Sequence, residues 1–280
     1  MRKKVNNLDF RSTELAKVSR LDTFPTLVND ELAVEEPLEI RILSPSGGEH
    51  AVAVALRTPG DDFDLAYGLL ITESLIDNPN EIVYIAWGEP ADFNIVKVGV
   101  DSELAFTRIS KVSPRFINSA CGLCSKTTID EITKSVKPIT SSIQLGRLVL
   151  TKLPELLSEH QSNFERTGGV HAAGLFYANG TSKVVREDIG RHNCVDKVIG
   201  NILRNDKDWI ESLSQLVLVV SGRIGFEIVN KAAMVGIPII VGVSAASSMA
   251  IALANSLNIT LAGFTRPANS TIYSGFSRIV

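Results

Sequence analysis

The chain has 280 residues, 45% hydrophobic and 21% charged, with a net charge of −3. That is apolar material for one large core or two smaller ones, which excludes a disordered chain, a fibrous repeat and a disulfide-stapled miniprotein. The small net charge gives no general attraction to nucleic acid or an anionic membrane, and three cysteines do not make a secreted disulfide framework.

Residues 1–7 are basic but run into polar sequence, without the apolar stretch of a secretory signal. Residues 38–43 alternate and 51–56 are apolar, and Ser44-Pro45-Ser46-Gly47-Gly48 lies between them, which predicts a hairpin. Residues 62–75 carry Phe63, Ala66, Leu69 and Leu70 at helical spacing behind two aspartates. Strands are predicted over 82–87, 94–100 and 104–109. From Lys111 to about Ser142 prolines, serines and threonines predict a loop-rich junction, with at most a short helix after Ser125.

The pattern is more regular from Leu145. Thr151 is placed to cap a helix bearing Leu153, Leu156, Leu157 and Phe164. Residues 170–177 and 182–186 flank an Asn179-Gly180 hairpin turn. A helix follows over 191–204, then strand 216–220, helix 223–234, strand 237–243, helix 247–257 and strand 259–264. The uncharged stretch 232–265 could span a bilayer by length, but Gly236, Pro238, Gly242 and the serines at 244, 247 and 248 break it, so it reads as soluble structure.

The expectation is an α/β protein: a smaller strand-rich N-terminal domain over 1–139, ending in a CxxC loop, and an α/β domain over 140–280. The latter has a mainly parallel sheet with helices on both faces, and its element order resembles the cytidine deaminase-like three-layer fold. A zinc deaminase is excluded, because Ser221-Gly222-Arg223-Ile224-Gly225 stands where its metal-binding cysteines would be.

In such a sheet ligands sit beyond the carboxyl ends of the strands. Ser221-Gly222-Arg223, Val243-Ser244-Ala245-Ala246-Ser247 and Thr265-Arg266-Pro267 fall there, each small or polar and two bearing an arginine, a pattern suited to phosphate. Tight strand-to-helix turns would look alike. The polar run 186–197 is either a solvated ion-pair cluster or a second part of that crevice, with Arg191 and His192 at a helix start. His171 is as readily structural as functional, and His50 and His160 are bland.

Cys121-Gly122-Leu123-Cys124 is the sharpest chemical feature. Zinc would need further ligands from Cys194, His171 or His192, and no second CxxC or HxxxH exists, so no metal site is expected. A polar loop with Lys126 nearby favours thiolate, suited either to sulfur relay or to redox cycling.

Taken together, Asn118-Ser119-Ala120-Cys121-Gly122-Leu123-Cys124, Thr167-Gly168-Gly169-Val170-His171, Arg186-Glu187-Asp188-Ile189-Gly190-Arg191-His192-Asn193, Ser221-Gly222-Arg223 and Gly263-Phe264-Thr265-Arg266 resemble the formate dehydrogenase accessory sulfurtransferase family, FdhD, from about Pro37 to the end. The resemblance implies a cytoplasmic, homodimeric sulfur carrier. A cysteine desulfurase would load a persulfide on Cys121, with Cys124 in support. The sulfur would pass to the molybdenum or tungsten of a bis-molybdopterin guanine dinucleotide cofactor, bound as substrate, for the formate dehydrogenase catalytic subunit. The family's cofactor segment falls on Phe264, Thr265, Arg266, Pro267, Ala268 and Asn269, and Pro267 replaces the family's usual glycine. Ser221, Gly222, Arg223, Arg191, His192 and Ser244 complete the expected crevice. The rival readings are a cofactor-binding insertion chaperone without sulfur transfer, and a thiol oxidoreductase cycling a Cys121–Cys124 disulfide. Neither nucleic acid nor membrane insertion is expected.

Overall fold

The computed structural model describes residues 11–21, 25–89, 94–111, 114–117 and 136–280. Two strands, β1 (Thr13–Leu21) and β2 (Pro25–Ala33), form a separate antiparallel hairpin. A five-stranded sheet follows, built from β3 (Glu36–Leu43), β4 (Glu49–Arg57), β5 (Ile82–Trp87), β6 (Ile95–Val100) and β7 (Arg115–Ile117), in the order β5-β6-β3-β4-β7. Between its strands lie α1 (Asp62–Thr72) and α2 (Glu103–Ser110). The predicted β3–β4 hairpin is present. The expected strand over 104–109 is instead α2: the Ser102 hydroxyl accepts from the Ala105 N–H, and Ala105 and Ile109 bury one helical face.

The second half runs α3 (Arg147–Ser158), α4 (Ser162–Thr167), β8 (His171–Tyr177), β9 (Ser182–Asp188), α5 (Arg191–Asn205), α6 (Trp209–Ser214), β10 (Leu216–Val220), α7 (Phe226–Met234), β11 (Ile239–Gly242), α8 (Ser248–Ser256), β12 (Thr260–Arg266) and β13 (Asn269–Ser274). Helix α3 begins a turn before Thr151, whose hydroxyl instead donates to the carbonyls of Arg147 and Leu148; Phe164 falls on the separate α4. The six strands are ordered β13-β12-β11-β10-β8-β9. This sheet is mixed rather than mainly parallel. Only β10–β11 and β11–β12 pair in parallel, because hairpins at Asn179-Gly180 and Pro267-Ala268 reverse the chain at either side, and β8 runs against β10.

Alternate residues of the central strands divide between two cores. Leu216, Leu218, Val220, Ile240 and Leu261 face a large core containing α5, α7, α8 and α1, which continues to Leu38, Ile40 and Ile42 of the first sheet. Val217, Val219, Ile239, Val241 and Ala262 face Leu150, Leu153 and Leu157 of α3. The uncharged run 232–265 is divided among α7, β11, α8 and β12, and among the described residues no helix is long and apolar enough to cross a membrane.

Helices α1 and α5 join the two sheets. A Cβ on Gly68 would lie 1.9 Å from the Asp196 carbonyl oxygen, and one on Gly200 would lie 1.9 Å from that of Asp64. The backbones therefore touch where only glycine fits. Buried polar ties flank the crossing: Lys231 pairs with Asp196 at 3.0 Å and Glu73 at 2.7 Å, and the Thr72 hydroxyl donates to Asp196 at 2.7 Å.

Candidate functional site

The polar run after β9 divides between two jobs, neither of them a solvated ion-pair cluster. Asp188 is fully buried: its carboxylate accepts from the N–H groups of Gly190 (2.8 Å) and Thr58 (3.2 Å) and from Asn193 Nδ2 (2.8 Å), and pairs with Lys197 at 2.7 Å. Lys197 Nζ also donates to the Thr58 carbonyl at 2.9 Å, and Asn193 Nδ2 donates to the Leu56 carbonyl at 2.8 Å. These residues fasten the start of α5 to the end of β4. Glu187 accepts from the Asn163 and Phe164 N–H groups of α4, and Arg186 pairs with Asp61 and Asp64. Cys194 is buried, its thiol facing the Asp188 and Gly190 carbonyls, and burial followed by the Asp188 charge pushes its pKa well up. It is an inert thiol.

Only Arg191 and His192 of the run remain for a crevice. Strands β9 and β10 end at the edge where β8 begins, so His171, Arg191 and Ser221-Gly222-Arg223 meet there. Gly222 lies against both His171 and Arg191, its absent Cβ 3.4 Å from His171 Nδ1 and 3.8 Å from Arg191 Cδ. Ser221 extends the β8 ladder, its N–H donating to Ala172 O and its hydroxyl accepting from the Ala172 N–H. The three expected segments are laced side by side. Ile224 N–H donates to Ala245 O, Ser247 N–H to Ile224 O, and Phe264 N–H to Ser244 O. Gly263 permits the last contact, since a Cβ there would sit 2.9 Å from Ser244 O.

Two cavities flank this edge. One, about 460 Å³, is lined by Arg191, Arg223, Gly225, Phe226, Glu227, Ala245, Ser247 and Met249 among others; the other, about 510 Å³, by Pro154, Ser158, Phe164, Gly169, His171 and Ser221 among others. Gly225 starts α7 without a side-chain cap, and Gly225, Phe226 and Glu227 line the first cavity. His192 departs from expectation: it is 3% exposed and backs the cavity, with Nε2 3.9 Å from the Glu227 carboxylate and neither ring nitrogen hydrogen-bonded. The His192 ring, then Glu227's own backbone N–H and Arg191, hold the Glu227 carboxyl at about 2 despite partial burial. Burial, then Arg191, His192 and Arg223, pull the His171 imidazole below its ordinary value.

The segment 264–269, expected to bind a cofactor, is spread along a hairpin rather than folded into the crevice. Thr265 is fully buried and its hydroxyl bonds that of Ser270 at 2.9 Å, which removes it from ligand contact. Phe264, Arg266, Ala268 and Asn269 are exposed around the β12–β13 turn; Pro267 supplies a fixed negative φ and Ala268 a left-handed φ of 63°. Arg266 lines neither cavity. Glu227 was missed by the sequence reading. Its signal was an acidic residue in the first turn of a helix, disguised because that helix was expected to start at Arg223.

Cys121 and Cys124 lie outside the described residues, but the strand leading to them does not. Ile117 at the end of β7 is in parallel register with Ala55, and the next residue, Leu56, holds Asn193 of α5. Four more residues of chain reach at most roughly 14 Å. Among the described residues no group of His, Cys, Asp and Glu is arranged to hold a metal.

The fold and this edge define an α/β protein with an arginine-bearing crevice at the edge of its larger sheet. The family model for FdhD/NarQ matches residues 33–280, and the chain belongs to that family. It is 45% identical over 255 residues to the "Sulfur carrier protein FdhD" of Nocardia farcinica, covering 89% of this chain and 88% of that one. It is 40% identical over 272 residues to the protein of the same name from Thermoplasma volcanium, covering 94% of each. A crystal structure described as a formate dehydrogenase accessory protein from Desulfotalea psychrophila superposes with a TM-score of 0.75 at 23% identity, covering 96% of this chain and all of that one.

Proposed function

We propose that the protein is a sulfur carrier in formate dehydrogenase maturation. The thiolate of Cys121 attacks the terminal sulfur of a cysteine desulfurase persulfide, forming a new S–S bond and releasing the desulfurase thiolate, with Cys124 in support. The Cys124 thiolate then attacks the inner Cys121 sulfur, forming a Cys121–Cys124 disulfide that a thiol reductant later reopens. The outer sulfur leaves as hydrosulfide for the metal of a molybdenum or tungsten bis-molybdopterin guanine dinucleotide held at the crevice as substrate, with Arg191 and Arg223 on its diphosphates and Arg266 on the neighbouring hairpin. The carrier works in the cytoplasm, as a homodimer, and hands its product to the formate dehydrogenase catalytic subunit.

The observation that supports this reading is the register of β7. It ends beside Leu56, whose carbonyl holds Asn193 two residues after Arg191, and the four residues from Ile117 to Cys121 span at most roughly 14 Å. The sulfur carrier names of the relatives agree with it.

Incubation with a cysteine desulfurase and cysteine, followed by intact mass measurement without reductant, tests the proposal. A species one sulfur atom heavier, removed by reductant and absent in Cys121→Ala, is expected. No added sulfur from an active desulfurase would replace sulfur transfer with cofactor binding and insertion alone.

A further inference from the structure

The FdhD/NarQ match begins at Ala33, where the β1–β2 hairpin ends, and no hairpin residue lines either cavity. The base of the hairpin is fastened to the body. The Ser12 hydroxyl donates to Asn163 Oδ1 at 3.0 Å, Arg166 of α4 donates to the Thr13 hydroxyl at 2.7 Å and pairs with Glu31, and Ala33 lies against Gly169. From that base the hairpin is an unbroken antiparallel ladder about 27 Å long, a sheet of two strands in which both are edges. Strand alternation sets Leu15, Leu21 and Leu27 on one face, where they are 75%, 83% and 79% exposed. Two strands alone are marginally stable in water; further strands and a shared apolar face are what such a ribbon needs.

We propose that the free edge of β1 pairs antiparallel with β1 of a second copy of this chain, about a two-fold axis at Val18, to make a four-stranded sheet between subunits. The inference rests on the homodimer of the function proposed above and names its contact. No proline or bulge in β1 closes its edge. A two-fold axis normal to the sheet keeps each face, so opposed residues share a face and every pair occurs twice. Overlap of the whole strand would set Lys17 on Lys17. Moving the axis one residue, to Val18, opposes Leu15 with Leu21, Ala16 with Arg20 and Lys17 with Ser19. No like charges then meet, and the leucine pairs join Leu27 of each copy on one face. The outer edge of β2 is less suited: Pro25 lacks an N–H at one end, and Asp30 and Glu31 stand together near the other.

Analytical ultracentrifugation and cysteine crosslinking of the full chain test the pairing. Val18→Cys, in a Cys121→Ser/Cys124→Ser background, is expected to give a covalent dimer under oxidised glutathione, because residues opposed across an antiparallel pair stand about 4.5–5.5 Å apart, within disulfide range. Glu14→Cys, beyond the paired segment, is expected to stay uncrosslinked. Val18→Lys and Val18→Glu, which set like charges on the axis, should each weaken the dimer about tenfold, and an equimolar mixture of the two should restore it. The inference is overturned if the wild-type dimer persists unchanged in Val18→Lys, if Val18→Cys does not crosslink or Glu14→Cys crosslinks as readily, or if the mixture is no tighter than either variant alone. Each of those results leaves a homodimer standing on another surface. A wild type that is monomeric at micromolar concentration removes the homodimer reading and this inference with it.

Discussion

Substituting Gly200 by alanine sets two effects of opposite sign against each other. In a helix with free space around it, Gly→Ala stabilises by about 1 kcal/mol through backbone entropy. Here the new methyl would meet the Asp64 carbonyl oxygen at 1.9 Å, well inside an ordinary carbon–oxygen contact, so α1 and α5 would have to separate by more than 1 Å. Separation is resisted on both sides of the crossing. Asp64 receives Arg186 at 3.1 Å and Asn201 at 3.0 Å, and Asp196, on the far side, holds Lys231 and Thr72. Overpacking against side chains that can yield costs about 1–3 kcal/mol, and backbone yields less. The net expectation is a loss of about 2–3 kcal/mol, which lowers the melting temperature by roughly 5–10 °C for a chain of this size. Thermal and urea unfolding followed by circular dichroism provide the measurement, with Gly68→Ala as a second variant of the same sign. A midpoint that stays put or rises by a few degrees would refute the close crossing, because helix propensity alone would then have decided the outcome.

Two other outcomes follow from buried charges. Lys231→Met strands the buried Asp196 carboxylate, whose pKa burial already raises, and should cost about 3–5 kcal/mol in urea unfolding; adding Asp196→Leu should recover a large part of it, and an additive double variant would contradict the pairing. His171 is held below its ordinary 6.5 by burial and the Arg191, His192 and Arg223 charges, so it is largely neutral above that pH; a bound anion offsets those cations and raises it, and binding then takes up protons. Diphosphate affinity should therefore rise as pH falls through the interval between free and bound values. Calorimetry near pH 6 in buffers of differing ionisation enthalpy should show proton uptake that disappears in His171→Gln, and uptake unchanged in that variant would sink the assignment.

Legibility differed by element for physical reasons. Strands β5 and β10 matched their predicted ranges, since alternation and continuous apolar runs are local signals that tertiary packing reinforced. Residues 104–109 misled because Leu104 and Phe106 mimic alternation, whereas the Ser102 cap decided the matter. The mixed pairing of the larger sheet could not be read locally: strand direction depends on which strand each one meets, and β8 meets β10 on the side away from its hairpin partner β9. Of the crevice, the small-residue segments and Arg191 and Arg223 were legible because strand-to-helix turns in such sheets share one edge. The roles of Asp188, Asn193 and Lys197 were hidden in sequence, since a buried ion pair and a solvated one use the same residues. Their partners, Thr58 and Leu56, are more than a hundred positions away.

Those hidden residues bear on the chemistry more than their distance from any ligand indicates. On the function proposed above, a carrier cysteine after β7 and an acceptor at the larger sheet meet only if the sheets hold a fixed relation or are brought together by a hinge. Here Thr58 is tied to Asp188 and Lys197, Leu56 to Asn193, Asp64 to Arg186, and Asp196 to both Thr72 and Lys231, around a glycine-on-backbone crossing and a core that runs through both sheets. Buried charge pairs add little net stability over apolar packing, but they penalise alternative arrangements, because sliding the helices would leave charges unpaired away from water. The relation between the end of β7 and the arginine edge is thus set by packed backbone and buried hydrogen bonds. On the function proposed above, the four residues from Ile117 to Cys121 limit how far the carrier thiol can lie from the end of β7.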